Sequence, residues 1–148
     1  MVQATPFLLV FCLALGAHSL PAKKCNLTGS WVNDLGSNIT IITVDANGDF
    51  SGFYSMAVSA FPRPIENSPL RGSQHLTNPG NQQPTFGFTV HWSFSDTITV
   101  FTGQCFVDKN QKEILKTTWL LRLRMNKFGD NWKATLVGSN DFFRQEEQ

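Results

Sequence analysis

The stretch from Thr85 to Cys105, TFGFTVHWSFSDTITVFTGQC, leaves the chain little choice of fold. Phe86, Phe88, Val90, Trp92 and Phe94 fall on alternate positions, so an extended strand would carry a row of large apolar side chains on one face. A polar break at Ser95–Asp96 precedes a second run, Thr97 to Phe106, rich in β-branched residues and Phe, and two strands joined by two residues read as a hairpin. Ser93, Ser95, Thr97 and Thr99 interleave with Trp92, Phe94 and Phe101. Small hydroxyls beside large rings suit a strand lining a pocket for a small ligand with a polar head. They suit equally a half-buried strand with solvated hydroxyls.

Beyond the N-terminal segment no helical periodicity is sustained, whereas short alternating segments separated by turn residues recur, about eight in all. The expected strands are Leu27–Asn33, Ser37–Val44, Asp49–Ala60, Leu70–Leu76, Thr85–Phe94, Thr97–Phe106, Glu113–Met125 and Trp132–Phe143. Asn47-Gly48 predicts a type I′ hairpin turn between the second and third strands. The proline-bearing segment from Phe61 to Pro69 reads as a connecting loop and candidate lid. The fold class is all-β. Eight sequential hairpin-connected strands can close into an antiparallel up-and-down β-barrel, which removes exposed edges and leaves room for one small ligand. A sandwich of seven or eight strands is the alternative.

The 12 basic and 11 acidic residues nearly cancel, which argues against partners held by charge, whether nucleic acid or an anionic membrane surface. Phe7 to Ala17 is an uncharged apolar run too short to span a bilayer, and it reads as part of a secretory signal peptide over residues 1–22, cleaved after Ser19 or Ala22. The expected organisation is then a barrel domain over 23–144 and a frayed tail over 145–148, in a secreted, extracellular protein. Loss of the leader removes Cys12 and leaves Cys25 and Cys105, which are expected to pair in an oxidising compartment. Closing so long a loop is worth about 4 kcal/mol in the chain-entropy picture. Asn26-Leu-Thr28 and Asn38-Ile-Thr40 are glycosylation sequons. Asn38 is the preferred site, because Asn26 is crowded by a half-cystine.

Catalytic patterns are missing. His75 and His91 stand apart from any Cys or carboxylate with metal-ligand spacing, and the expected metal set is none. No nucleophile elbow or phosphate-cradling glycine loop occurs. The carboxylates are read as turn residues, without the facing pair a glycosidase needs. What remains is a set of neutral polar groups on the expected inner face, Asn33, Ser37, Tyr54, Thr99 and Asn140, interleaved with Trp92, Phe101, Trp119 and Trp132. Buried polar groups are costly unless paired. Either a ligand in a shared cavity or backbone and buried water would satisfy them.

The segments LTGSWVNDLGSNITI, GDFSGFY, SPLRGSQ, QPTFGFTVHWSFS, TVFTGQCF, KTTWLLR and WKATLVGSNDF together resemble the avidin family of biotin-binding proteins across essentially the whole chain after the leader. The resemblance implies an eight-stranded barrel that holds biotin without catalysis or cofactor, in a homotetramer. By motif position, Asn33, Ser37 and Tyr54 would donate to the ureido oxygen, Asn140 would accept from one ureido N–H, and Thr99 would approach the ring sulfur. Trp92, Phe94, Phe101 and Trp119 would box the rings, with Leu121 beside them and Trp132 supplied from a neighbouring subunit. Ser59, Ala60 and Phe61 would meet the valerate carboxylate together with Ser95 and Thr97. The chain departs from the family at Met56, where a threonine hydroxyl commonly accepts the second ureido N–H, and a thioether is a weak acceptor. Leu123 and Arg124 add bulk, and Ser139 replaces an apolar intersubunit contact. These departures imply weakened biotin binding. Two alternatives are a lipocalin-like carrier, suggested by Gly29-Ser-Trp31, and a structural relative whose pocket has decayed.

Overall fold

In the computed structural model the described residues are 22–57 and 66–146. Residues 1–21 of the expected leader, residues 61–65 of the expected lid and residues 147–148 of the expected tail lie outside them. Eight strands form one closed antiparallel barrel in which each strand pairs with its sequence neighbours and the last pairs with the first. They are β1 Gly29–Asn33, β2 Asn38–Val44, β3 Asp49–Ser55, β4 Ser68–Gln74, β5 Thr85–His91, β6 Ile98–Val107, β7 Glu113–Arg122 and β8 Thr135–Arg144. The up-and-down barrel is thus the fold, and the sandwich alternative falls.

Period-two alternation decides what lies inside. Trp31, Ile39, Ile41, Phe50, Leu70, Phe86, Phe88, Val90, Phe101, Leu115 and Phe142 are all buried. Their strand neighbours Thr40, Ser51, Arg71 and Lys116 are exposed. One end of the barrel is plugged by Leu27 and by the bridge from Cys25 to Cys105, whose Cα atoms are 6.3 Å apart. From that end the rings of Phe86, Phe88 and Phe101 stack in series toward the middle of the barrel, with Phe88 and Phe101 4.6 Å apart. The apolar filling therefore closes one mouth and leaves the polar inward residues to the other.

Several expected boundaries are corrected by side chains that draw the backbone out of the ladder. The β5–β6 connection is not a two-residue turn, because β5 ends at His91 and β6 begins at Ile98. Within it Ser93 N–H donates to Ser68 Oγ at 3.0 Å, Ser93 Oγ donates to the Asn67 carbonyl at 3.2 Å, and the hydroxyls of Ser95 and Thr97 pair with each other. The third strand stops at Ser55, since Ala57 N–H turns to Ser37 Oγ at 3.2 Å. The fourth begins at Ser68, inside the segment read as loop. The turn at Asn47-Gly48 is not type I′: Gly48 alone takes a positive φ, 90°, while the Asp45 carboxylate accepts the N–H groups of Asn47 and Asp49. The seventh strand ends at Arg122, and residues before β8 form a 3-10 helix, Phe128–Lys133.

Arg144 is no part of a loose end. It pairs with Trp31 across the β1–β8 seam, and its guanidinium lies 3.8 Å from the centre of the Trp31 ring. It donates to Glu113 Oε2 through Nε at 3.1 Å and Nη2 at 2.8 Å, and to the carbonyls of Thr28 and Asn26. Gln145 N–H still bonds the Ser30 carbonyl. Glu113 corrects the view that the carboxylates sit in turns, since its side chain is 7% exposed at the start of β7. Its other oxygen accepts Asn26 N–H at 2.8 Å.

Removing one member of a fully buried ion pair costs about 3–5 kcal/mol because the other charge is left unpaired, but Glu113 also keeps Lys23 Nζ at 3.6 Å and the Asn26 N–H at 2.8 Å, so the loss here is smaller. Arg144→Met should lower stability in denaturant unfolding by about 2 kcal/mol, and adding Glu113→Gln should recover part of that loss. A single-variant loss below about 1 kcal/mol would show that this pair does not hold the seam.

Candidate functional site

The polar mouth of the barrel is built, among the described residues, by the β1–β2 turn, the end of β3, the β5–β6 connection and the upper halves of β6, β7 and β8. The turn between β1 and β2 is organised by one side chain. Asn33 Oδ1 accepts the N–H groups of Leu35 at 3.0 Å and Ser37 at 2.8 Å, while the Asn33 carbonyl accepts Gly36 N–H. With its oxygen spent on the turn, the Asn33 amide shows its nitrogen to the barrel, where Nδ2 lies 3.3 Å from the Tyr54 hydroxyl. On β8 the opposite orientation holds. Asn140 Nδ2 donates to Asp34 Oδ1 at 2.8 Å and Asn140 Oδ1 accepts Trp119 Nε1–H at 2.9 Å. The same mouth therefore contains an amide fixed as donor and another fixed as acceptor.

Tyr54, on the inner face of β3, lies against three aromatic rings. Trp92 meets it edge-on at 5.0 Å, Phe101 stacks at 5.9 Å and Phe142 stands edge-on at 6.4 Å. Burial among them pushes the phenol up from 10.0 to about 12, an effect the Ser37 hydrogen bond opposes and the Asp34 charge reinforces. Tyr54 is thus a neutral O–H donor throughout the physiological range. Trp92 Nε1–H donates to Thr99 Oγ1 at 2.8 Å, which fixes the ring although Trp92 has left the β5 ladder. Trp119 on β7 lies over β8 because Gly138 has no side chain: a Cβ there would stand 2.2 Å from Trp119 Cζ2.

The structure brings most of the sequence-derived set together. Asn33, Ser37, Tyr54, Thr99 and Asn140 are buried polar or phenolic groups at the mouth, with Trp92 and Phe101 buried beside them. Met56, Phe94 and Trp119 are partly buried and packed against the core, and Leu121, Ser95 and Thr97 are intermediate. Phe94 lies 5.6 Å from Trp92. Trp132 is not on the inner face: it sits on the 3-10 helix, 82% exposed. Ser59, Ala60 and Phe61 lie outside the described residues. Of the two sequon asparagines, Asn26 before β1 is exposed and Asn38, opening β2, is half-buried.

Two residues bonded to Asn140 were not singled out from the sequence. Asp34 fell among the carboxylates read as turn residues, and Thr117, buried on the inner face of β7, donates to the Asn140 carbonyl at 2.7 Å. The inward alternation of Leu115, Thr117 and Trp119 was the signal for the second. Among the described residues no group of three or more His, Cys, Asp and Glu side chains could hold a metal ion. The mouth offers neutral hydroxyls, amides and indoles with fixed donor and acceptor directions, a surface suited to binding.

The chain matches the Avidin family over residues 21–145. It is 56% identical to avidin of Gallus gallus, covering 100% of this chain and 99% of that protein. With avidin-related protein 1 of Gallus gallus it shares 56% identity, over 98% of this chain and 97% of the relative. Among solved structures, that of xenavidin aligns with a TM-score of 0.77 and 54% identity, and a biotin binding protein from chicken with 0.78 and 53%; each covers 83% of this chain and 100% of the other. The closed barrel and the end-to-end identity agree, and this chain belongs to the avidin family, whose members bind biotin without catalysing a reaction.

Proposed function

We propose that this chain is a secreted, non-catalytic protein that takes biotin into the polar end of its barrel and sequesters or stores it, more weakly than avidin does. The observation that carries the proposal is the pair of amides fixed in opposite senses, Asn33 as donor beside Tyr54 and Asn140 as acceptor. A cyclic urea has the complementary pattern, an acceptor oxygen flanked by N–H donors. Donors from Asn33, Ser37 and Tyr54 that converge on that oxygen would stabilise the charge it carries when polarised. Trp92, Phe94, Phe101 and Trp119 would cover the rings, Leu121 and Thr99 would lie beside them, and Ser95 with Thr97 would meet the carboxylate tail. Ser59, Ala60 and Phe61 belong to the same proposal as its lid.

Met56 follows directly on the end of β3 and packs against the core. If it faces the second ureido N–H, that donor is left with a thioether, a loss on the order of 1–3 kcal/mol, or about 10- to 200-fold in affinity. Trp132, exposed on its own barrel, is available to a neighbouring copy. The outer faces of β6, β7 and β8 carry Val100, Leu120 and Val137 in one cross-strand row, all exposed. Such a row supports assembly into a homotetramer, with Ser139 as the polar interruption. The leader expected from the sequence, the Cys25–Cys105 disulfide and the sequons at Asn38 and Asn26 support the secretory route.

Release of labelled biotin tests the reading and the role of Met56 together. Wild type should hold biotin, and Met56→Thr should slow its release roughly tenfold or more. A wild type that retains no biotin would sink the proposal, and an unchanged rate in the variant would remove Met56 from it. Tyr54 is the sole tyrosine of the sequence, so phenolate absorbance reports on it alone. In the folded protein the absorbance should rise with a midpoint at about 12, against 10.0 for the ordinary group. Between those values the unfolded chain has lost the proton and the folded chain keeps it, so stability should fall as pH rises across that window. A folded-state midpoint near the ordinary value would contradict the buried donor.

A further inference from the structure

An amide has two unlike ends, and what fixes Asn140 lies on the rim of the mouth. We propose that Asp34 is a positioning residue that holds the Asn140 amide as an obligate acceptor, so that the pocket selects ligands presenting an N–H on that side of the ring. The inference rests on the binding reading above and deepens it. Asp34 Oδ1 stands 2.8 Å from Asn140 Nδ2 and can only accept while ionised. Asp34 is itself anchored, its N–H bonded to the Asp141 carbonyl at 3.3 Å within the turn that Asn33 ties down. From the other end Trp119 Nε1–H, which can only donate, takes Asn140 Oδ1 at 2.9 Å. One lone pair of that oxygen remains for a ligand. Thr117 fixes the adjoining backbone carbonyl at 2.7 Å.

The consequence is an asymmetric demand. On the Asn140 side a ligand meets a rigid amide oxygen, and a methyl or acceptor there would lose the bond and crowd a group that cannot turn away. On the Met56 side it meets a flexible thioether, which tolerates either. Two mono-N-methyl biotins, one for each ureido nitrogen, should therefore differ: the wild type should release the one methylated toward Asn140 roughly tenfold faster than its isomer.

The test compares wild type, Asp34→Leu and Asp34→Asn. Asp34→Leu leaves Asn140 held from one end, and the difference between the isomers should shrink to less than about threefold. Asp34→Asn can still present a carbonyl oxygen to Nδ2 and should retain the difference. In the ligand-free protein the Trp119 indole N–H resonance, assigned with Trp119→Phe, should move in Asp34→Leu and stay in Asp34→Asn. If biotin is held but Asp34→Leu keeps the wild-type difference, or if the free-protein resonance does not move, the positioning role is overturned. If wild type holds no biotin while the resonance behaves as expected, the binding reading fails and the role of Asp34 in fixing the amide stands.

Discussion

Everything at the mouth depends on how the barrel closes. The seam between β1 and β8 has a short register, Trp31 with Arg144, Val32 with Phe143 and Asn33 with Phe142, whereas β7 and β8 pair from Ile114 to Arg122. A short seam needs other restraints. Arg144 supplies them by bonding Glu113 on β7, covering the Trp31 ring on β1 and taking the carbonyls of the segment that leads into β1. The register so fixed sets Asn33 opposite Phe142, and two residues earlier on β8 comes Asn140, within reach of the turn that carries Asp34. A slip by one residue would turn these side chains to the outer face.

The barrel was legible because its inner face obeys a period that sequence displays. Phe86, Phe88 and Val90 alternate as they do because each faces the core, and Gly48 marks a turn where a positive φ is needed. The burial of Asn33, Ser37, Tyr54, Trp92 and Asn140 at one end of the barrel was legible through the family motifs, which carry them as a set. What stayed hidden depends on partners far apart in the chain. Ser93 leaves the ladder for Ser68, Glu113 is buried because of Arg144, and Asp34 meets Asn140 across a separation of 106 residues. A local pattern at Asp34 or Glu113 looks the same whether such a partner exists or not. Trp132 misled for a related reason: its tryptophan fits a strand pattern, but the backbone beneath it is a 3-10 helix.

The polar groups of the mouth are paired in the free protein, and no described buried side-chain nitrogen or oxygen lacks a partner. Their donor and acceptor directions are thus fixed before a ligand arrives, which limits the ordering entropy lost on binding. The apolar rings around Tyr54 keep it protonated, and the same low-dielectric surroundings strengthen any hydrogen bond it gives. Met56 follows directly on the end of β3. The barrel tolerates that residue because it packs as a hydrophobe against the core.

Calorimetric titration of the purified protein with biotin tests the central claim most directly, that a preset donor and acceptor arrangement in this barrel is complementary to a cyclic urea. Saturation at one biotin per chain, with a large favourable enthalpy and a negative heat-capacity change, is the predicted result. The absence of a binding isotherm at concentrations that saturate weak sites would contradict it.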